Sequence, residues 1–279
     1  MAKLRDLKLS IIHPFYNEPI RLKTHIDTWK TYSQEMLDAV TFVLVDDGSS
    51  PELLLWANFY RIKVPHLEVY RIMEDLKWNT PGALNLGIIQ APTDWVLFMD
   101  SDCMMDPEDV EKLLNFEPDP SIAYYFPRNR VSNSDHVRTA KADRYLPCAV
   151  LIRKDLFYAV GGFDEDFTGS RSGGYAMFDN DFTTRITEQA DCRILDGTAG
   201  NNSRYRVIED TLVLPRIVIQ EYMEDKVGPN IQTRDDIRKD DHIDVNKRLW
   251  YNKIGGAVPR NTTHLNFEWV RRFSKGVSR

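Results

Sequence analysis

A short apolar run in the middle of the chain ends in two aspartates separated by one serine. The run covers residues 96–99, and the two carboxylates belong to Asp100 and Asp102. A short apolar run bounded by polar residues is typical of a buried strand in a parallel sheet. Ligands of open α/β sheets bind beyond the carboxyl ends of such strands. Paired carboxylates there suit Mg2+ or Mn2+, although an isolated Asp-x-Asp is more often a helix cap beside a solvated carboxylate.

Polar and aromatic side chains also follow the two strands predicted at the start of the chain. Residues 13–18 read His-Pro-Phe-Tyr-Asn-Glu. They could stack on and hydrogen-bond a nucleobase, or form a strand-to-helix turn with Asn17 as the helix cap. Residues 46–50 read Asp-Asp-Gly-Ser-Ser. A carboxylate in this segment could accept hydrogen bonds from a ribose or a base, or the segment is an ordinary Asp-Gly turn.

A glycine pair and two more aspartates follow later in the chain. Gly161 and Gly162 come after a predicted helix, where paired glycines suit a left-handed cap and a close approach to a ligand. Asp179 and Asp181 stand at the start of another predicted helix. Carboxylates are favourable at that end of a helix, so capping explains either one alone. A carboxylate that reaches into a cleft could also take a proton from an acceptor hydroxyl.

The composition is that of an ordinary globular protein. The chain has 279 residues, of which 42% are apolar and 28% charged, and its net charge of −6 gives no general attraction to nucleic acid or anionic lipid. The three cysteines have unrelated spacings, which favours a reducing, cytoplasmic location over a disulfide framework or a zinc site. We expect no signal peptide in residues 1–8 and no membrane span, since no window approaches ~18 uninterrupted apolar residues.

Strands and helices alternate in the first part of the chain. The predicted strands are residues 7–13, 40–45, 66–72, 94–99 and 121–126, and the predicted helices are residues 18–34, 51–61, 81–90 and 107–115. This alternation predicts an α/β fold with a mostly parallel sheet flanked by helices on both faces.

The predicted order is less regular beyond residue 126. We expect a polar loop over the site at residues 131–144. Two further strands are predicted at residues 147–152 and 211–219, and two further helices at residues 154–160 and 178–189. The tail, residues 260–279, is basic and contains aromatic residues. It could make a peripheral contact with a membrane, but a helix packed on the domain is the favoured interpretation. One domain with an irregular C-terminal part is the simplest division.

The order of the motifs resembles that of the GT-A family 2 glycosyltransferases. The resemblance runs from residue 8 to about residue 185 and consists of Pro14-x-Tyr16-Asn17-Glu18, Asp46-Asp47-Gly48-Ser49, Asp100-x-Asp102, Gly161-Gly162-Phe163-Asp164 and Asp179-x-Asp181-Phe182. No G-x-G-x-x-G follows the first strand and no G-x-x-x-x-G-K-[ST] occurs, which disfavours Rossmann dinucleotide binding and P-loop chemistry. The resemblance implies a GT-A (Rossmann-like) fold, with a nucleotide-sugar-binding part at residues 1–126 and an acceptor-binding and catalytic part at residues 127–279.

The same resemblance implies a nucleotide-sugar donor, most often a UDP-sugar, a saccharide or lipid-linked acceptor, and Mn2+ or Mg2+ as the cofactor. The residues implied in donor binding are Pro14, Tyr16, Glu18, Asp46, Asp47, Asn85, Asp100 and Ser101. The implied metal ligands are Asp100 and Asp102, with His242 as the expected third ligand and His264 as its substitute. If Asp179 takes the proton of the acceptor hydroxyl during a single displacement, the anomeric centre is inverted.

Two departures from the family pattern leave alternatives open. Phe178 stands where relatives carry the glutamate of a Glu-Asp pair, so the base is either Asp179 or Asp181. Gly174-Tyr175 replaces a Gly-Trp-like context. An inactive nucleotide-sugar-binding or scaffold protein is therefore an alternative of a different class. A nucleotidyltransferase is the runner-up among enzymes, although residues 14–18 lack the glycine-rich, basic loop that it would need.

Overall fold

One large mixed sheet forms the centre of the protein. The computed structural model describes residues 2–49, 64–132, 138–139, 145–195, 219–223, 242–259 and 265–276. The described strands are β1 (Leu9–Phe15), β2 (Val40–Asp46), β3 (Leu67–Ile72), β4 (Trp95–Phe98), β5 (Cys103–Met104), β6 (Ile122–Ser132), β7 (Arg138–Thr139), β8 (Tyr145–Arg153), β9 (Asp191–Ile194), β10 (Ile219–Met223) and β11 (Trp269–Lys275). Their order across the sheet is β11-β3-β2-β1-β4-β8-β6-β10-β5, with β7 and β9 also paired to β6.

Helices cover both faces of this sheet. The described helices are α1 (Leu4–Leu7), α2 (Pro19–Trp29), α3 (Gln34–Ala39), α4 (Thr80–Gln90), α5 (Pro107–Asn115), α6 (Lys154–Ala159), α7 (Gly169–Ser172), α8 (Phe178–Gln189) and α9 (His242–Ile254). One buried cluster contains Ile11 and Trp29, and the cluster on the opposite face contains Ile12 and Phe182. Neighbouring residues of β1 thus enter different cores, because successive side chains of a strand point to opposite faces. The predicted α/β class is confirmed.

The four strands β1 to β4 are parallel to their neighbours within this group. Phe15 at the end of β1 pairs with Asp46 at the end of β2, and Ile12 pairs with Phe98 at the end of β4. The carboxyl ends of these strands therefore meet at one edge of the sheet. Antiparallel strands flank the group, because β11 runs against β3 and β8 runs against β4. None of the described helices is both long enough and apolar enough to cross a membrane.

The prediction of one helix over residues 18–34 is wrong. The structure has α2, which ends at Trp29, and a separate α3 that begins at Gln34. Ser33 between them has an extended backbone, with ψ of 158°, and its side chain accepts a hydrogen bond from the amide of Met36. A serine in this position caps the second helix and so ends the continuity of the first.

The prediction of a packed helix in the C-terminal tail is also wrong. Residues Trp269–Lys275 form β11, an edge strand that pairs with β3. The half-buried residues of this strand are Trp269, Val270 and Phe273, a spacing that also fits one face of a helix, which explains why the tail suggested a packed helix. The predicted helix at residues 51–61 lies outside the described residues, as do most of the predicted loop at 131–144 and strand at 211–219.

Candidate functional site

A cavity of about 430 Å³ opens at the edge of the sheet where β1, β2 and β4 end. This is the position at which open α/β sheets bind ligands. Five stretches of the chain contribute to its lining, with the residues Pro14, Phe15, Tyr16, Glu18 and Arg21; Asp47; Asp75, Leu76, Lys77, Trp78 and Thr80; Asp100 and Ser101; and Gly174, Tyr175 and Phe178. Segments that are far apart in the sequence are therefore brought to one place by the parallel register of the strands.

An ion pair stands at the start of α2, on the wall of the cavity. Arg21 Nη1 donates a hydrogen bond to Glu18 Oε1 at 2.5 Å and another to Ser101 Oγ at 3.2 Å. Pro14 lines the cavity beside them. The Arg21 side chain thus connects the segment after β1 with the turn after β4, and it contributes a positive charge to a cavity that also contains Glu18.

Tyr16 brings an aromatic ring and a hydroxyl to the same wall. Burial and a hydrogen bond with Asp75 raise the pKa of Tyr16 to about 12, so the phenol keeps its proton at neutral pH. The backbone turns sharply at the next residue, because Asn17 has a φ of 51°. The Asn17 amide donates to Ser49 Oγ at 2.9 Å, which fixes this turn to the segment that follows β2.

The two aspartates at the end of β2 are in different environments. Asp46 is fully buried, accepts hydrogen bonds at 2.8 Å from Arg71 and from the Ser49 amide, and does not line the cavity. Asp47 lines the cavity and accepts a hydrogen bond from Asn79 Nδ2 at 3.1 Å. Burial, with the neighbouring charge of Asp46, raises the pKa of Asp47 to about 7. Asp46 holds the turn, whereas Asp47 is placed to touch a ligand.

The turn after β4 rests on two buried histidines. His25 Nε2 lies 2.7 Å from the carbonyl oxygen of Ser101, and His13 hydrogen-bonds the backbone of Asp100. The two imidazole rings are 4.3 Å apart, and burial lowers the pKa of both, that of His25 to about 4. Both rings are therefore neutral at pH 7. Asp100 lines the cavity, whereas Asp102, which is 4% exposed, is not part of the lining.

Residues 77–79 connect the first half of the site with the later motifs. Trp78 has a φ of 49°, which is uncommon for a bulky residue. Its carbonyl accepts a hydrogen bond from the Gly169 amide at 3.1 Å, and its ring meets that of Tyr175 edge-on at 5.1 Å. Asn79 Oδ1 accepts a hydrogen bond from Thr168 Oγ1 at 3.3 Å. These contacts hold the strained segment against the loop that precedes α8.

Asp179 emerges from a strained turn at the start of α8. Ala176 and Met177 have φ values of 62° and 69°, and Phe178 after them lines the cavity. The Asp179 side chain is half-buried, and its Oδ1 accepts hydrogen bonds from the amide and the side chain of Asn180, at 2.9 and 3.1 Å. Burial raises the pKa of Asp179.

Asp181 lies in the protein interior. It is fully buried, and its Oδ2 accepts a hydrogen bond from Arg185 Nε at 2.7 Å. Arg185 also donates to the carbonyl of Val160 at 2.5 Å, so the ion pair joins α8 to the end of α6. A carboxylate that is enclosed and paired in this way is poorly placed to reach an acceptor in the cavity.

The remaining predicted residues lie away from the cavity or outside the described side chains. Asn85 is fully buried and exchanges two hydrogen bonds of 2.9 Å with the backbone of Phe163, while donating to Glu165 at 2.8 Å. It joins α4 to the segment after the glycine pair. His242 is the first residue of α9, but its side chain is outside the described part of the structure, as is the whole of His264.

Six of the predicted site residues therefore line one cavity: Pro14, Tyr16, Glu18, Asp47, Asp100 and Ser101. Sequence reasoning missed Arg21 and Asp75, which line it too. Arg21 follows Glu18 by three residues in a predicted helix, a spacing that favours an ion pair and could have revealed it. Asp75 follows the third parallel strand, so its position at the same edge was also open to prediction.

Solved structures of glycosyltransferases resemble this fold. Staphylococcus aureus TarS 1-349 in complex with UDP-GlcNAc has a TM-score of 0.57 and 18% identity, covering 79% of this chain and 60% of that one. The mannosyltransferase PcManGT from Pyrobaculum calidifontis, in complex with GDP-Man and Mn2+, has a TM-score of 0.51 and 14% identity, covering 93% and 73%. GalNAc-T7 with UDP, GalNAc and Mn2+ has a TM-score of 0.53 and 12% identity, covering 78% and 44%. The likeness is one of fold, the GT-A fold.

Curated relatives extend the comparison to the sequence. Two of these relatives are undecaprenyl-phosphate 4-deoxy-4-formamido-L-arabinose transferases, one of Yersinia pestis (strain Pestoides F) and one of Yersinia pseudotuberculosis serotype I (strain IP32953). Each is 26% identical to this chain over 184 residues, which is 65% of this chain and 50% of the relative. The chain thus spans about half the length of the curated relatives it matches. The family described as Glycosyl transferase family 2 matches residues 10–187, which is more than half of the sequence. With its motifs, its fold and its cavity in agreement, the chain belongs to glycosyl transferase family 2.

Proposed function

We propose that this protein is a metal-dependent, inverting glycosyltransferase that moves a sugar from a nucleoside diphosphate to an acceptor hydroxyl. The observation that carries the proposal is the convergence of Tyr16, Asp47, Asp100 and Ser101 on one cavity at the carboxyl edge of the sheet. Aromatic, carboxylate and hydroxyl groups together match the base, ribose, metal and phosphate of a nucleotide sugar. Membership of the family supplies the reaction class.

The nucleoside is proposed to lie against Pro14, Tyr16 and Asp47. Tyr16 offers a ring face for a base and a phenol that keeps its proton, since its pKa is about 12. Asp47 offers carboxyl oxygens to a ribose hydroxyl or a base N–H. A group with a pKa of about 7 changes its charge near neutrality, so nucleotide binding through Asp47 is expected to depend on pH.

The charges in the cavity fit a bound divalent cation. Carboxylates of Glu18, Asp47, Asp75 and Asp100 line the cavity, whereas its lining contains the cations Arg21 and Lys77. Arg21 is already paired with Glu18. A surplus of acidic groups disfavours a diphosphate by like-charge repulsion, unless a cation lies between them. Hard carboxylate oxygens are also the ligands that Mg2+ and Mn2+ prefer.

The carboxylates of Asp100 and Asp102 are proposed to hold this cation. Among the residues that the structure describes, no three His, Cys, Asp or Glu side chains are grouped to hold a metal by themselves. This agrees with a site completed by substrate phosphates, which is how Mg2+ is usually bound in enzymes. The bound ion would stabilise the negative charge of the leaving diphosphate. His242, or His264, stays a proposal for a further ligand.

Asp179 is proposed as the general base, in preference to Asp181. It adjoins Phe178 on the cavity wall, and burial raises its pKa, which makes its carboxylate a better proton acceptor. Its carboxylate would take the proton of the acceptor hydroxyl as that oxygen attacks the anomeric carbon. The attack comes from the face opposite the departing diphosphate, so the new glycosidic bond has inverted configuration.

The substrates are proposed from the named relatives. UDP or a UDP-sugar is bound in the TarS and GalNAc-T7 structures and GDP-Man in that of PcManGT, so a UDP-sugar is the first donor to test and GDP-Man the second. The Yersinia relatives are named for undecaprenyl-phosphate, which supports a lipid-linked acceptor beside a saccharide one. The three cysteines are free thiols, in keeping with the proposed cytoplasmic location.

Release of nucleoside diphosphate from UDP-sugars and GDP-Man, with Mn2+, Mg2+ or a chelator, tests the proposal. We expect release that requires the cation and is lost in Asp179→Asn. Asp155→Asn is the matched control, because Asp155 is the second residue of α6, as Asp179 is of α8. In both cases Oδ1 accepts a hydrogen bond from the amide of the next residue, at 2.8 Å for Asp155 and 2.9 Å for Asp179. Binding without any release would instead indicate an inactive binding protein, and release of pyrophosphate from a nucleoside triphosphate would indicate a nucleotidyltransferase.

A further inference from the structure

The C-terminal helix α9 lies outside the region that matches the family, yet it contacts the family motifs. The match ends at residue 187, and α9 spans His242–Ile254. Two of its polar residues are buried, Asn246 with 0% and Lys253 with 2% of their surface exposed. They are seven residues apart, which is two helical turns, so they lie on one face of the helix. That face points into the protein and toward the loop that carries Asp179.

Asn246 holds two backbone segments together. Its Nδ2 donates hydrogen bonds of 3.0 Å to the carbonyls of Phe167 and Ala176. Both hydrogens of the amide are used; the bond to Phe167 is buried, and the bond to Ala176 is partly buried. A buried carbonyl that loses such a donor is costly to leave unpaired. The amide therefore ties the turn before α8 to the segment that follows the glycine pair.

The Ala176 turn needs such a support. Ala176 and Met177 have consecutive positive φ values, a conformation that favours glycine and is unfavourable for residues with a Cβ. Strained backbone of this kind persists only where its surroundings enforce it. Tyr175 and Phe178 on either side of the pair line the cavity, and Asp179 comes next. The direction in which Asp179 leaves the turn thus depends on two residues that would relax without restraint.

Helix α9 is itself fixed to the protein beneath that turn. Lys253 Nζ donates to Asp164 Oδ2 at 2.6 Å, to Asp166 Oδ2 at 2.9 Å and to the carbonyl of Pro259 at 3.0 Å. All three hydrogens of the ammonium group are therefore engaged. Asp164 begins the same short segment whose last residue, Phe167, is held by Asn246. Two contacts on one helix face give Asn246 a defined position from which to hold the Ala176 carbonyl.

We propose that Asn246 is a positioning residue for transfer: it holds the carbonyl of Ala176 so that the strained turn keeps Asp179 beside Phe178, at the margin of the cavity. The proposal rests on the proposed function, because it takes Asp179 to be the base. It makes α9, a segment beyond the family match, part of the catalytic unit. The nucleoside end of the cavity, at Tyr16 and Asp47, is formed by other elements, and the two hydrogen bonds of the Asn246 amide go to neither residue.

Steady-state kinetics of Asn246→Leu with Mn2+ and a UDP-sugar test this assignment. Leucine keeps the size of the side chain and removes both donors. We expect kcat for UDP release to fall between about tenfold and a hundredfold, because a small misplacement of a reacting group has that effect, while donor KM stays within about twofold. Amide hydrogen exchange over residues 173–182 should become faster. Asn252→Leu is the matched control, since Asn252 is an exposed residue of the same helix.

A second substitution tests the cause of the defect. Ala176→Gly makes a positive φ favourable without support, so in the Asn246→Leu background it should restore most of kcat. If circular dichroism shows that the Asn246→Leu variant is unfolded, Asn246→Ser replaces it. The serine side chain is too short to reach both carbonyls, so kcat should fall in this variant too. Unchanged kcat or unchanged exchange in a folded Asn246 variant would overturn the inference. A failure of the proposed function would give a different result. In that case the Asp179→Asn variant would consume donor as fast as the wild type, or the wild type itself would consume no donor.

Discussion

Asn79 Nδ2 donates a hydrogen bond to Asp47 Oδ1 at 3.1 Å, and this contact joins the segment before α4 to the end of β2. The other end of the same amide, Asn79 Oδ1, accepts from Thr168 Oγ1 at 3.3 Å. One buried side chain thus links the wall on which the nucleoside is proposed to lie with the loop that leads to the proposed base. The relative placement of the two halves of the site depends on it.

Asn79→Ala should weaken both the fold and donor binding. The substitution leaves Asp47 and Thr168 without their shared partner, and the loss of buried hydrogen bonds costs about 1–3 kcal/mol. Urea unfolding measures the change in stability, and calorimetric titration of UDP measures the change in affinity. Asn115→Ala is the control, since Asn115 is exposed at the end of α5, where its side-chain nitrogen donates to Glu111 and its oxygen accepts a long, exposed hydrogen bond from Lys3. Equal unfolding free energies for both variants would contradict this role for Asn79.

Asp47→Asn should change how stability depends on pH. Burial raises the pKa of Asp47 from 3.8 to about 7 in the folded protein, so between these values the folded state keeps a proton that the unfolded state has lost. Wild-type stability therefore falls as pH rises through this window, and the isosteric amide removes that loss. We expect Asp47→Asn to be more stable than the wild type at about pH 8, with a smaller difference at about pH 5.

Asp6→Asn, at an exposed position in α1, is the control for that pH series. Urea unfolding at each pH gives the free energies to compare. A difference between Asp47→Asn and the wild type that stays constant across the pH range would contradict the burial of the Asp47 charge.

Gly82→Ala should be destabilising although alanine favours helices. A Cβ at this position of α4 would lie 2.4 Å from Asn79 Oδ1 and 2.7 Å from Phe267, too close for either atom to stay in place. Overpacking of this kind typically costs about 1–3 kcal/mol. Gly255→Ala is the control, since its Cβ would meet nothing closer than 3.3 Å.

The source of that strain can be separated in a double variant. In the Asn79→Ala background, Gly82→Ala should lose less stability than it does alone, because the closest atom has been removed. The measurement is thermal unfolding of the wild type, the two single variants and the double variant, which together form a double-mutant cycle. Strict additivity of the two changes would show that Asn79 is not what the new methyl group meets.

Asp181→Asn should impair folding rather than chemistry. Its partner Arg185 is 6% exposed at the side chain, so removing the carboxylate leaves a buried, uncompensated cation, which costs about 3–5 kcal/mol. Asp27→Asn is the control, because Asp27 pairs with Lys23 and Lys30 at the surface, where such pairs contribute little. Chemical denaturation compares the two variants. A stable Asp181→Asn protein without transferase activity would reopen Asp181 as the base.

The strand ends of the site could be predicted because parallel strands place their carboxyl ends together. The apolar runs before Pro14, Asp46 and Asp100 fixed the position of each segment along the chain, and the register of β1, β2 and β4 brings them to one cavity. Only the periodicity of the sequence is needed for this inference. The mixed strand order beyond β4 was not predicted, since it depends on contacts between distant segments.

Which aspartate of the pairs Asp46/Asp47 and Asp179/Asp181 is enclosed in an ion pair could not be predicted. Asp46 turns inward because Arg71, a residue of β3, is there to pair with it, and Asp181 does so because of Arg185. Asn85 is likewise committed to the backbone of Phe163. These partners come from other elements or from the next turn of a helix. The spacing of the aspartates themselves therefore does not show which aspartate is buried in an ion pair.

Calorimetric titration of UDP, and then GDP, into the wild type and Asp100→Asn tests the central claim most directly. The claim is that a cation held at the end of β4 allows this acidic cavity to bind a nucleoside diphosphate. We predict binding to the wild type with Mn2+, with affinity at least about tenfold weaker in chelator or in Asp100→Asn, as expected for the loss of a charge-neutralising contact. Binding of equal affinity with chelator, or in Asp100→Asn with Mn2+, would contradict the account.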